Sequence, residues 1–247
     1  MKEAGSLLKI MTEHQSHSGA AWPNATARDD RVSVAELIAL ALIQEFRDNN
    51  DDQEPRALLV LQAKADEDSA SAALDLLMSP DPARRRLGAQ IAREFPRLDA
   101  APNQWSPRFL VALETAIATE DDESALRDEL SAMAWQKLSK ATSVLLRFAG
   151  HPSERIRHTV ANNLILTCDC TRELPSEVLG TLSELSRDTS PDVRESVFYD
   201  VAQFPTLFAS RSVDLINAAR DSIRLHGPGE QFATEAIRAL ELQRERT

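Results

Sequence analysis

The stretch Asp188-Thr189-Ser190-Pro191-Asp192-Val193-Arg194 contains a pattern that the rest of the chain repeats, and Val197 and Val201 complete it. A small polar residue, a proline at the first helical position and an early acid open an α-helix well, because they suit the unpaired N–H groups of its first turn. Val197 and Val201 follow Arg194 by three and seven residues, a spacing that places side chains on one helix face. The stretch therefore predicts a turn followed by an amphipathic helix.

The same frame recurs along the chain: an arginine, an apolar residue three positions later and a small or apolar residue seven positions later. Its arginines are Arg56, Arg84, Arg127, Arg157 and Arg194. A sixth copy keeps Ala236 and Leu240 but has Ala233 in place of the arginine. The aligned positions are 28, 43, 30, 37 and 39 residues apart, and their mean of about 35 is typical of repeated helix pairs.

Helical runs alternate with short polar or proline-containing breaks, in pairs. The predicted pairs are 34–47 with 54–65, 69–78 with 82–95, 106–118 with 123–138, 140–149 with 153–168, 175–187 with 191–204, and 210–224 with 229–244. One helix pair cannot bury both of its faces, so the pairs must stack on their neighbours. We expect an all-α chain with about six helix pairs over residues 32–247, preceded by a flexible or loosely docked arm over residues 1–31.

The stretch 188–194 resembles the signature of HEAT repeats, an Asp-Pro-type turn followed by Val-Arg. Residues 79–84, with 87–89 behind them, and residues 151–164 are similar to the same signature. The resemblance, to HEAT-repeat proteins of bacterial type, covers roughly residues 34–245. It implies an armadillo-like α-solenoid, a right-handed α-α superhelix whose second helices line the concave face. HEAT proteins have many functions, so the resemblance does not itself name one.

Charge and composition narrow the function classes. The formal charge is −11, from 39 acids against 28 bases, and a net acidic protein is repelled by the phosphate backbone of nucleic acids. The charge is unevenly spread, with −7 over residues 29–68 and +4 over residues 137–172. A general nucleic-acid binder is therefore not expected, whereas a central positive stripe between acidic ends suits an acidic partner.

Sequence signatures of catalysis are missing. The chain has no Gly-x-Ser-x-Gly elbow, no cysteine with a convincing histidine partner and no glycine-rich phosphate loop. His14 and His17 are two potential metal ligands, but no third one is near them in the sequence. We expect no enzyme, no cofactor and no metal. Without the apolar run of a signal peptide or a membrane helix, we also expect a cytoplasmic protein that does not contact a membrane.

The repeated arginines have two interpretations. Each turn before a frame arginine supplies acids, and in HEAT-like packing such an arginine reaches the acidic turn of its own or the adjacent unit. This predicts a structural arginine ladder formed by Arg56, Arg84, Arg127, Arg157 and Arg194. In the alternative interpretation the same row binds phosphate or carboxylate ligands.

A partner-binding groove follows from the same frame. If the apolar positions are buried, the positions one and five or six after the arginines point into the groove. They are Arg85, Gln90, His158, Asn162, Asn163, Glu195, Tyr199 and Asp200. A mixed lining of Arg, His, Asn and Tyr suits a peptide or protein segment. The sequence therefore favours a non-catalytic scaffold or adaptor that binds another protein.

Two alternatives remain open. Some bacterial HEAT-like proteins resemble alkylpurine DNA glycosylases, which hold DNA on a basic concave face, and Trp105 and Trp135 would be the candidates for contact with the damaged base. The net acidity weighs against this alternative. The second alternative is an immunity or inhibitor protein that binds a toxin, a role that suits a small acidic solenoid. The residues alone do not separate it from the scaffold.

Overall fold

The computed structural model describes residues 32–47, 56–64, 66–98, 104–136, 139–169, 171, 173–227 and 230–245. All regular secondary structure within these ranges is helical, and none of the residues in them forms a strand. The predicted all-α class is confirmed for this part of the chain. The predicted N-terminal arm, residues 1–31, lies outside the described residues.

The helices follow the predicted pairs closely. The described α-helices are α1 (Val34–Arg47), α2 (Arg56–Lys64), α3 (Glu67–Leu77), α4 (Pro82–Leu98), α5 (Ser106–Ile117), α6 (Glu123–Trp135), α7 (Ser139–Leu146), α8 (Glu154–Asn163), α9 (Ser176–Leu185), α10 (Pro191–Gln203), α11 (Ser212–His226) and α12 (Gln231–Glu245). Several begin as the sequence chemistry requires. Asp66 and Asp122 accept hydrogen bonds from the first turns of α3 and α6, and prolines occupy the first positions of α4 and α10.

Two 3₁₀ segments depart from the predicted boundaries. The predicted helix 153–168 is α-helical as far as Asn163 and continues as a 3₁₀ turn, Leu164–Thr167. The Thr167 hydroxyl donates to the Leu164 carbonyl at 2.7 Å, a local bond that competes with the regular helix. A second 3₁₀ segment, Pro205–Arg211, precedes α11, so α11 starts two residues later than predicted.

The packing of the helices joins consecutive pairs. Within a pair the two helices contact each other, except that α7 packs on the 3₁₀ extension of α8. Each second helix also contacts the second helix of the next pair, in the order α2, α4, α6, α8, α10, α12. First helices contact first helices in the same way, as in α1 with α3 and α9 with α11. The first helices of the pairs therefore lie beside one another, and so do the second helices.

The core is continuous through the described pairs, from Leu37 in α1 to Leu240 in α12. The apolar frame of the second helices is buried in it, with Val160 and Val197 fully inaccessible. Gly88 in α4 lies close against α3, since a Cβ atom on it would come within 2.9 Å of the Ala73 carbonyl oxygen. Along the described part of the chain, none of the helices has the length and apolarity needed to span a membrane.

Candidate binding face

Three arginines share one contact within their own helix pair. The Nη1 of Arg85 donates to the carbonyl of Ser79 at 2.9 Å, and that of Arg157 donates to the carbonyl of His151 at 2.9 Å. The Nη1 of Arg194 donates to the Asp188 carbonyl at 2.8 Å. In each case the acceptor lies six residues earlier, so each guanidinium closes the turn that precedes its own helix.

The same three arginines reach into the next helix pair. Arg85 forms a bidentate pair with Glu120, at 2.5 and 2.7 Å. Arg157 forms a bidentate pair with Asp188, at 2.7 and 2.8 Å, and its hydrogen bonds hold the pKa of Asp188 below the ordinary value. Arg194 pairs with Glu230 and also donates to the Ser222 hydroxyl at 2.8 Å. These arginines form the structural ladder, because each ties its own turn to the turn of the following pair.

The ladder register differs from the predicted one at two positions. Counted from the N-cap, the residue before each helix, Arg85, Arg157 and Arg194 all stand at position 4. Arg84 stands one residue earlier and is exposed, so the predicted ladder residue is wrong there and Arg85 takes its place. In α6 position 4 is the buried Leu126, and the predicted Arg127 is exposed instead. Arg56 begins α2, but its side chain lies outside the described residues.

A row of polar side chains runs across successive second helices. Position 5 from each N-cap is Arg86, Arg127, His158 or Glu195, and position 9 is Gln90, Ser131, Asn162 or Tyr199, on α4, α6, α8 and α10 respectively. We call these eight residues the second-helix face. Neighbouring helices are linked across it, since Asp128 accepts from Arg86 at 3.2 Å and from Gln90 at 3.0 Å.

The predicted groove residues divide between this face and the interior, except Arg85. Arg85 is engaged with Glu120 and the Ser79 carbonyl, so its predicted place in the groove is wrong. Gln90, His158 and Asn162 lie on the second-helix face. Asn163 and Asp200 are buried, because position 10 points into the core. The Asn163 amide donates to the Thr159 carbonyl at 2.8 Å, within its own helix. Their predicted exposure in the groove is therefore wrong.

At the C-terminal end the last helix covers part of the face. The Glu195 carboxylate accepts a hydrogen bond from the backbone N–H of Phe232 at 3.0 Å, in the first turn of α12. The Tyr199 ring meets the Phe232 ring edge-to-face, with centroids 5.0 Å apart and an interplanar angle of 83°. We use the word joint for the contact between the second helices of two consecutive pairs. Glu195 and Tyr199 thus contribute to the joint between α10 and α12 as well as to the face.

A cleft of about 170 Å³ opens at the middle of the face. It is lined by Arg127, Glu154, Arg155, His158, Ser190 and Asp192, from three successive second helices and the turn before the last of them. Burial lowers the pKa of His158; the nearby Asp192 opposes this shift and Arg127 adds to it. The imidazole is therefore neutral near pH 7 and offers one donor and one acceptor. Arg127 forms no ion pair with any other described residue.

Two tryptophans and a cysteine with candidate chemistry lie elsewhere. Trp135 is buried in the core, and Trp105 is half-buried with its ring edge-to-face on Phe95, at 6.2 Å between centroids. Cys168 is half-buried, and burial raises the pKa of its thiol. Within the described ranges no three His, Cys, Asp or Glu side chains are grouped closely enough to hold a metal ion. His14, His17 and Cys170 lie outside those ranges.

A scan against protein-family models finds no match for this chain, and a search of curated proteins finds no relative. What the face can do chemically follows from its side chains. It offers hydrogen-bond donors, acceptors and both signs of charge over four helices. Sequence reasoning missed Arg86 and Ser131 because it aligned arginines rather than N-caps, and counting from the caps would have found both. It also missed Asp128, which stands at position 6 and is recognised only by its contacts with Arg86 and Gln90.

Proposed function

We propose that this protein is a non-catalytic scaffold or adaptor that binds another protein, or a peptide segment of one, along the second-helix face. The observation that carries this proposal is the alignment of two polar positions, 5 and 9 from the N-cap, on four successive helices. An extended segment can contact such a face repeatedly while the buried positions of the same helices keep the scaffold rigid.

The proposed scaffold is a HEAT-like solenoid, a right-handed α-α superhelix whose concave side carries the second-helix face. Sequential contacts between second helices support this arrangement. The arginine contacts support it further, because they recur at the same register in three joints between pairs and bind each turn to the next. A regular joint repeated along a chain produces a regular curve.

The central cleft is the proposed anchor for the partner. Arg127 is exposed and forms no ion pair with another described residue. A carboxylate of the partner can therefore bind its guanidinium without breaking an existing ion pair. His158 and Asn162 add neutral hydrogen-bonding groups beside it. Arginine is among the residues that most often carry interface energy, since it combines large contact area with a polar end.

Charge across the face gives the proposed segment a direction. Arg86 and Arg127 make the α4–α6 side basic, although Asp128 neutralises part of it, and Asp192 with Glu195 makes the α10 side acidic. Complementary charge fixes the register of a bound segment more than it adds affinity. We expect an acidic residue of the partner opposite α6 and a basic one opposite α10.

Site-specific photocrosslinking tests the proposal. A photoreactive amino acid is placed at Ser131 or Asn162 on the face and, as a control, at the exposed Val111 of α5, a first helix. We expect both face positions to crosslink to the same discrete host protein, and the control position not to do so. Crosslinks to that protein from Val111 with none from the face would contradict the proposed face.

The glycosylase alternative has its own assay. An enzyme of that type needs an aromatic side chain that can stack on an extruded base, whereas Trp135 is buried and Trp105 packs on Phe95. We expect no release of alkylated bases from duplex DNA at any protein concentration that remains monodisperse. Release of alkylated bases would contradict the scaffold proposal and favour a DNA glycosylase. A toxin recovered in the crosslinking experiment would identify the scaffold as an immunity or inhibitor protein.

A further inference from the structure

Glu129 in α6 is a buried acid without the partners that such a group requires. Its exposed fraction is 0%, and neither of its carboxyl oxygens accepts a hydrogen bond. Burying an ionised carboxylate that nothing compensates costs several kcal/mol or more, so such a group takes up a proton instead. The environment of Glu129 therefore decides its charge.

The charged groups that face Glu129 come from three elements. They are Glu120 from the α5–α6 turn, Arg85 from α4, and Asp128 from α6 itself. Arg85 is already committed, because it forms the bidentate pair with Glu120 and donates to the Ser79 carbonyl. Burial first, and then the negative charge of Glu120, raises the pKa of Glu129 to about 8.

Glu120 keeps its charge in the same cluster. Burial alone would raise its pKa, but hydrogen bonds from Arg85 and from the Asp122 backbone N–H outweigh burial and leave the pKa below its ordinary value. One carboxylate and one guanidinium thus neutralise each other. Glu129 has no counter-charge of its own, because Arg85, which lowers its pKa, is already paired with Glu120.

At the position of Glu129, the other described second helices carry no acid. Glu129 stands at position 7 from its N-cap, where α4, α8 and α10 have Gly88, Val160 and Val197. In addition, position 4 of α6 is Leu126, where the three ladder helices have arginine. Compared with the ladder helices α4, α8 and α10, α6 therefore has an additional acid at position 7 and lacks the arginine at position 4.

We propose that the α4–α6 joint is controlled by protonation of Glu129. In the protonated form the Glu129 hydroxyl donates a hydrogen bond to the Glu120 carboxylate, and α6 stays packed on α4. When the proton leaves to solvent, two carboxylates face each other with one guanidinium between them, and the joint loosens. Asp128, next in sequence to Glu129, holds Arg86 and Gln90, so loosening changes the spacing of the second-helix face at this point.

The first test is the titration of Glu129 in the full-length protein. Carboxyl ¹³C resonances of the glutamates are followed from pH 4 to pH 10, and the Glu129 signal is identified by its absence in Glu129→Gln. We expect a midpoint near 8. Amide protection factors, which are corrected for the base-catalysed intrinsic exchange rate, should fall in α4 and α6 over the same range and stay unchanged in α12. A midpoint near the ordinary acidic value would overturn the proposal. The hydrogen-exchange measurement uses the wild-type chain alone and needs no variant to fold.

The second test compares equilibrium unfolding of the wild type and Glu129→Gln at pH 6 and pH 9. The amide of glutamine donates to Glu120 at both pH values. We expect the wild-type unfolding equilibrium constant to rise between pH 6 and pH 9 by roughly 10- to 100-fold more than that of the variant. The exposed-site control Glu235→Gln should behave like the wild type. Equal pH dependence in the wild type and Glu129→Gln would contradict the proposed joint.

Discussion

At the scale of single residues, the arginine contacts explain why neighbouring arginines differ in importance. Arg85 pairs with the carboxylate of Glu120, a side chain with an exposed fraction of 0%. It also donates to the Ser79 carbonyl in the turn before its own helix. Arg84, one residue earlier, is exposed and holds no such group. Removing one member of a buried ion pair is costly, because the remaining charge stays buried without compensation. Exposed charges contribute little.

We therefore predict that Arg85→Ala lowers the free energy of unfolding by about 2–4 kcal/mol. Arg84→Ala, the matched control in the same turn of helix, should change it by less than about 0.5 kcal/mol. Urea unfolding followed by circular dichroism measures both. Equal losses in the two variants, or a larger loss for Arg84→Ala, would show that the ladder register assigned from the N-caps is wrong.

Two acids, the half-buried Asp188 and the buried Asp200, make stability depend on pH in opposite directions. The folded pKa of Asp188 is lowered by Arg157, so its contribution is present above the ordinary pKa and is lost as the pH falls through the lowered value. Burial raises the pKa of Asp200 well above its ordinary value, and one of its oxygens has no hydrogen-bond partner. Stability linked to Asp200 is therefore present below the ordinary pKa and is lost as the pH rises.

Replacing the buried acid by its amide removes this second dependence. We predict that Asp200→Asn raises the free energy of unfolding at pH 8 by about 1–3 kcal/mol. The effect should be small near pH 4, where the acid is neutral in the folded state and only about half ionised in the unfolded state. Asp192→Asn at an exposed position serves as the control and should not reproduce the gain. Urea titrations at the two pH values measure the difference, and a loss of stability at pH 8 would contradict the assignment.

At the scale of helices, two glycines have opposite roles. Gly88 lets α4 approach α3, since an added Cβ would meet Ala73, Leu76 and Leu77 at 2.9 Å. Around Gly180 in α9 the space within 4 Å of an added Cβ is empty. Overpacking a helix contact costs stability, whereas replacing an unconstrained helical glycine reduces the entropy lost on folding.

Gly88→Ala should lower the free energy of unfolding by about 1–3 kcal/mol, and Gly180→Ala should leave it unchanged or raise it by up to about 1 kcal/mol. Thermal and urea unfolding of the two single variants provide the measurement. If both alanine variants were stabilising, α3 and α4 would not be in the close contact described above.

Helix identity could be predicted from the sequence, but the fine register of the polar positions could not. Prolines and acids at helix starts define the pairs, because N-cap chemistry is local. The run 84–86 offers three arginines in succession, and apolar spacing alone fits the first of them. The N-cap at Asp81 selects Arg85. Apolar spacing also fails to separate Asn162 from Asn163, because the boundary between exposed and buried positions passes between these two adjacent residues.

At the scale of the whole molecule, net charge limits the partners. With 39 acids against 28 bases, repulsion by a phosphate backbone opposes nucleic-acid binding. We predict no measurable affinity for a labelled DNA duplex at physiological salt in fluorescence anisotropy, and any association at low salt should fade steeply as salt is added. Tight binding that persists at physiological salt would favour a nucleic-acid partner over a protein.

The central claim is that the second-helix face binds a protein partner, and affinity for the crosslinked partner tests it most directly. Isothermal titration calorimetry compares the wild type with the double variant Arg127→Ala, Asn162→Ala and with the control Arg84→Ala. We predict that the double variant binds at least tenfold more weakly, about 1.4 kcal/mol, while the control retains wild-type affinity and all three proteins keep the same helical spectrum. Unchanged affinity in the double variant would contradict the claim.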